Sequence, residues 1–204
     1  MDKQEYLNQI SAMNRPVKKK SNGIFASKFF WVISVGVIAF ALIMIVGGIL
    51  DGTRVDNKSR LLALILHMNN TSEAIKEYQP SVKSSELRSY SASLRSLLTD
   101  ESNQLTNFAT ENYKIQLKDL GKEDTEEAEA NKDALMNDLF DAKINGNLDR
   151  IYAHKLTYEI SMIIDREVQL IKSTSNESLK EILETSYKSL SNIYDRFNSF
   201  SEAN

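Results

Sequence analysis

Two histidines, His67 and His154, are the side chains in this chain best suited to metal ligation or to proton transfer near neutral pH. A carboxylate-bridged metal pair in a helical bundle draws Glu-x-x-His from two helices, a spacing that puts both ligands on one face. Here Leu64 stands three positions before His67 and Ile151 three before His154. Neither histidine has that carboxylate, and no metal site is expected. His67 is flanked by Leu66 and Met68, while His154 would share a helical face with Arg150 and Ile151. Both read as structural or surface residues.

Other chemistries fare no better. A nucleophilic serine needs a base beside it, and the many serines between Ser81 and Ser102 read as the wet face of a helix. Loops that cradle phosphate need clustered glycines, yet after Gly52 only Gly121 and Gly146 remain. Two acidic groupings stand out: Glu123 to Glu129, and the set Glu159, Asp165 and Glu167. A calcium loop would alternate carboxylates around a glycine; neither grouping does, and both read as solvated faces. The absence of cysteine excludes disulfides, thiolate metal ligands, a cysteine nucleophile and a lipidated cysteine. The chain is therefore expected to have no catalytic residue, no cofactor and no metal, and not to be an enzyme.

The elements that hold these residues begin with an apolar run. Residues 29–50 carry no charge and are rich in Phe, Ile, Val and Leu. Roughly 20 such residues cross a hydrocarbon core of about 30 Å, so the run predicts a single transmembrane helix. Residues 1–28 form a basic tail with six cations against two carboxylates, net +4, which leaves −7 of the whole-chain −3 for residues 29–204. Lys and Arg stay on the cytoplasmic side of a span. Arg15, Lys18, Lys19, Lys20 and Lys28 thus act as topology determinants, with the N-terminus cytoplasmic and the remainder extracytoplasmic. The lysine cluster is explained by anionic headgroups rather than nucleic acid. Cleavage after Ala39-Phe40-Ala41 is the rival reading, opposed by the nine further uncharged residues after Ala41. A pilin-type leader ending at Gly23 is opposed by Lys28, where that pattern carries Glu.

A short tether, 51–55, leads to a helical domain over 56–204, since glycine and proline are too scarce for a strand-rich fold. Helix one is expected over about 56–78, ending before Pro80. Helix two is expected from a cap at Ser81, with Leu87, Tyr90, Leu94, Leu98, Leu105 and Phe108 on its apolar face, extending as far as Gly121. A solvated stretch over 122–133 leads into a short helix with Leu135, Met136, Leu139, Phe140 and Ile144, closed by Asn145-Gly146. A long helix from Leu148 to about Lys172 follows, then a last one capped by Ser175 or Asn176 with Leu179, Leu183, Leu190 and Phe197 on one face. An offset of 92 residues lays the first hairpin on the second, pairing Leu64 with Leu156, Met68 with Ile160, Leu98 with Leu190 and Leu105 with Phe197. The expected fold is all-α: a transmembrane helix, then a four-helix bundle of two long hairpins joined by a crossover of about 25 residues, a ferritin-like arrangement.

The stretch from Leu139 to Tyr152, with the short helix, the glycine and then Leu148-Asp149-Arg150-Ile151-Tyr152, resembles the crossover of the ferritin-like exported domains of unknown function found in many bacteria. That family opens its third long helix with Phe-Asp-x-x-Tyr, so Leu148, Asp149 and Tyr152 are the matching, structural positions. Family members often carry histidine on the second and third long helices; Ile160 stands here where the third-helix histidine would fall. The resemblance implies a membrane-anchored, histidine-poor member of this group. The expected role is a binding or interaction module outside the cytoplasm, with the lipid bilayer and a membrane-proximal protein as partners. An envelope sensor or a structural subunit of a membrane assembly is the alternative.

Overall fold

A computed structural model of the protein describes residues 57–203. The chain divides into two units, Met1–Arg54 and Val55–Asn204, and all described residues belong to the second. The expected span over 29–50 and the basic residues Arg15, Lys18, Lys19, Lys20 and Lys28 lie outside them. Among the described residues, no helix is long and apolar enough to cross a membrane.

Five α-helices account for nearly all of this region: α1 Asn57–Tyr78, α2 Ser85–Phe108, α3 Lys122–Ile144, α4 Leu148–Ser173 and α5 Glu177–Ala203. Helices α1, α2, α5 and α4 form a closed ring, each packed against the next, and α3 lies outside it against α1 and α4. Neighbours in the ring run antiparallel. Asn57 at the start of α1 donates to the carbonyl of Ser173 at the end of α4, and Tyr90 early in α2 meets Phe197 late in α5. The core is the apolar seam of these four helices, with Leu64, Met68, Leu98, Leu156, Ile160 and Leu190 all fully buried. Each such side chain contributes about 1.5–3 kcal/mol by leaving water.

Four local expectations are corrected. Ser81 does not cap α2. It ends a 3-10 turn over Gln79–Ser81, and the cap is Ser84, whose Oγ accepts from the Leu87 amide at 3.2 Å. The Asp149 carboxylate adds to this by taking the amides of Lys83 and Ser84, at 2.8 and 2.7 Å.

Helix α2 also does not reach Gly121. It loosens into one π turn, Ala109–Tyr113, and stops at Lys114, whose φ of +57° is left-handed. The chain there must turn back over the end of the bundle, and Tyr113 packs edge-on against Phe108 with ring centroids 5.3 Å apart.

The third correction concerns α3, which is a full 23-residue helix rather than a short one. Its polar first half is helical because Glu123 and Asp124 sit in the first turn, where carboxylates complement the exposed amides. The crossover is accordingly long, covering residues 109–147. Antiparallel packing demands this: α2 ends where α1 begins, α4 begins where α1 ends, and at about 1.5 Å per residue only a helix near the length of its neighbours spans the gap. Gly146, at φ +74°, supplies the left-handed turn that lets α4 start at once.

Finally, Phe140 and Ile144, expected among the apolar positions of a buried short helix, are 52% and 66% exposed. Only Leu135, Leu139 and Ala142 of α3 are buried. Its stripe faces the outside of a finished ring and needs little width.

Candidate functional site

The loose seating of α3 creates a groove. In its C-terminal half Leu135 and Leu139 enter the core, and the Tyr78 hydroxyl donates to the Met136 carbonyl at 3.0 Å. Its N-terminal half has no buried residue and is tied to α1 by three polar links. Ser59 bonds Asp124 at 2.9 Å, Asn70 donates to the Ala128 carbonyl at 3.2 Å, and Lys132 pairs with Glu73 at 2.6 Å. Between these links, with alanines at 63, 128 and 134, a groove of about 240 Å³ stays open against α1 and α4.

Its floor is polar. His67 of α1 and Glu159 of α4 meet at 2.6 Å, Nε2 to Oε2, both side chains mostly covered. A carboxylate accepts the Nε2 proton, which fixes the ring and leaves Nδ1 to look elsewhere. Nδ1 is buried without a partner, as is Oγ1 of Thr71 one turn further along α1. The charges of the lining nearly cancel, with Asp124, Glu127, Asp138 and Glu159 against Lys132, Lys155 and Arg166. Lys155 is already paired with Asp138, and Tyr158, 56% exposed, stands at the rim.

A second polar cluster lies inside the ring. Glu101 of α2 and Glu167 of α4, 4% and 0% exposed, both reach the Ser186 hydroxyl of α5. Ser186 Oγ is 2.5 Å from Glu167 Oε1. A hydroxyl has one proton to give. Both contacts are satisfied only when one carboxyl keeps its own proton and donates it to Ser186, which donates onward to the other. Burial, reinforced by the Glu101 charge, pushes Glu167 up to about 9, so Glu167 holds the proton. Burial raises Glu101 as well, against the opposing hydrogen bond from Ser186. The remaining oxygens, Glu101 Oε1 and Glu167 Oε2, are buried without partners.

These positions correct the reading of solvated faces. Of Glu159, Asp165 and Glu167, only Asp165 is exposed, and the serine face of α2 turns Ser91 and Ser102 into the core. The signal was present in the spacing. The sequence 87, 91, 94, 98, 101, 105, 108 is an unbroken three-four seam, and it places Ser91 and Glu101 inside. Ser186 likewise falls between Leu183 and Leu190 on the seam of α5.

His154 is exposed and does not line the groove. Leu148, Asp149 and Tyr152 come together at the start of α4: Leu148 and Tyr152 are buried and Asp149 holds the start of α2. Burial raises the Tyr152 hydroxyl above its ordinary range, and it has no hydrogen-bond partner. Among the described residues, no group of three or more His, Asp and Glu side chains is arranged to hold a metal ion. No family model, curated protein or solved structure matches the chain.

Proposed function

We propose that the chain is a binding module held outside the cytoplasm by a single transmembrane helix over residues 29–50, acting without catalysis or a metal. The observation that supports this is the groove between α1, α3 and α4, whose floor holds two buried polar atoms, His67 Nδ1 and Thr71 Oγ1, with no partner in the protein. Buried polar atoms are ordinarily paired, so a surface groove that ends on two unpaired ones suits a ligand that pairs them. The basic tail, the ferritin-like topology of the two hairpins and a membrane-proximal site of action belong to the same proposal.

The reading is tested in intact cells. A photo-reactive residue replacing Tyr158 at the groove rim is expected to give a reproducible adduct, while one replacing Tyr187, exposed on α5, gives none. The chain has no cysteine, so single variants Ser21→Cys and Ser201→Cys report topology cleanly. A membrane-impermeant maleimide should label position 201 alone. Labelling of position 21 alone, or equal adducts from both tyrosine positions, would sink the proposal.

The second reading, a structural subunit of a membrane assembly, is favoured by Phe140 and Ile144. These lie four residues apart on one face of α3 and expose their apolar surface. Loss of an assembled species from native gels in a Phe140→Ser, Ile144→Ser variant would favour it over the groove.

A further inference from the structure

We propose that the α1–α3–α4 groove takes a small, uncharged, polyhydroxylated ligand, a sugar ring or a cyclic polyol, bound through hydroxyls to Thr71 Oγ1 and His67 Nδ1. This rests on the binding-module reading and names its ligand class.

Thr71 carries the inference because it departs from its own kind. The other buried Ser and Thr hydroxyls all find a partner: Ser91 donates to the Leu87 carbonyl at 2.7 Å, Thr157 to that of Ala153 at 2.8 Å, Ser102 to that of Thr99 at 3.1 Å, and Ser186 bonds the two buried carboxyls. Thr71, 1% exposed, makes no such bond and has no other partner, while it lines the groove. Thr71 Oγ1 has almost no surface open to water, so a ligand hydroxyl reaches it by displacing the loosely seated N-terminal half of α3; a bond left unmade in a dry site costs about 1–3 kcal/mol, and the ligand recovers it.

The second contact point selects the same chemistry. With Nε2 committed to Glu159, Nδ1 is a bare acceptor when the ring is neutral and a donor when it is charged. A hydroxyl serves either state, since it both donates and accepts. A carboxylate or an ammonium serves only one.

The lining offers no single dominant charge, which favours a neutral occupant. Asp138 and Lys155 neutralise each other at the wall, Lys132 is held by Glu73, and Arg166 is set off by Asp124 and Glu127. The wall also alternates polar with apolar, Asn131 and Lys132 with Leu135 and Met162, and the exposed Tyr158 stands at the mouth. A sugar ring, with a hydroxylated rim and an apolar C–H face, matches that alternation. Some 240 Å³ of space gives room for one ring.

The test uses the full chain in a polyoxyethylene detergent, because a glycosidic detergent would compete. Glucose, galactose, N-acetylglucosamine and myo-inositol are titrated to millimolar concentration, with glucose 6-phosphate and glucuronate as charged counterparts. Saturable binding of a neutral probe is expected. Thr71→Val should weaken it roughly tenfold, the cost of one hydrogen bond. Thr71→Ser should restore it, and Tyr187→Ser should leave it unchanged. Thr71→Val removes an unpartnered hydroxyl, so the fold is retained. A soluble oligosaccharide ending in the bound sugar separates the two sources of the chemistry: stronger binding than the free sugar means a glycan end is read, and equal binding means a small solute is. Failure of every neutral probe, tighter binding of a charged one, or indifference to Thr71→Val overturns the ligand class. A persistent adduct from position 158 beside such a failure would leave the binding module standing.

Discussion

Glu101 and Glu167, 66 residues apart and on different helices, are joined in the core by a single hydroxyl that can donate to only one of them. Their arrangement stores a proton that water would otherwise take.

That proton makes stability depend on pH. Glu167, pushed up to about 9 by burial, keeps its proton across the range in which an unfolded glutamate has lost it. Unfolding between about pH 4.5 and 9 therefore releases a proton, and stability, fully present below that window, falls as pH rises through it. The expected slope is roughly 1 kcal/mol per pH unit. Urea unfolding of the full chain in detergent at pH 5, 6.5 and 8 should show the midpoint falling. Glu167→Gln, which imitates the protonated form, should flatten the dependence and raise the midpoint at pH 8; an unchanged slope would refute the assignment.

Tyr152 offers a gain rather than a loss. Its hydroxyl is buried and completes no hydrogen bond, although the Ser91 hydroxyl, which itself donates to Leu87, faces it. Tyr152→Phe should stabilise the fold by about 1 kcal/mol, whereas Tyr152→Ala should cost about 3–5 kcal/mol through the cavity left behind. Thermal unfolding of the two variants side by side decides the matter.

Asp149 ties the start of α4 to that of α2 by two amide bonds. Asp149→Ala should cost about 1–2 kcal/mol. Its distinctive sign is local: amide exchange at residues 83 and 84 should accelerate more than at Leu98 in the middle of α2. Uniform acceleration would mean that the contact merely adds to global stability.

Leu139 is the one fully buried anchor of α3. Leu139→Ala should cost about 2–5 kcal/mol. Because polar links hold the other half of the helix, it should also free α3 for exchange well before the ring opens. Exchange mass spectrometry would detect that separation, and a variant in which α3 and α4 exchange together would contradict it.

The helices were legible wherever apolar residues recur at three and four, because that spacing needs only one buried stripe. Residues 61–75 and 179–197 are of this kind, and the pairs related by the 92-residue offset share their burial, Leu64 with Leu156 and Leu105 with Phe197 among them. What escaped was tertiary. The length of α3 follows from where α2 ends and α4 begins, a fact about direction that no local window contains. Glu167 and Ser186 hid because composition argues for water while position argues for the core, and position prevailed through mutual hydrogen bonding. The groove could not be anticipated, since it arises from what α3 fails to bury.

The pairing of His67 with Glu159 has one more consequence. The two residues are 92 apart, the same offset that maps one hairpin onto the other, and they face each other where antiparallel α1 and α4 cross. In a dimer of two identical hairpins, the axis of symmetry would run through this point and each residue would confront its own twin. Two glutamates there would repel, and two imidazoles could not both be fixed by a carboxylate. Joining the hairpins in one polypeptide lifts that restriction, so that an acid and a base can stand on opposite sides of what would have been the dyad, on the floor of the α1–α3–α4 groove.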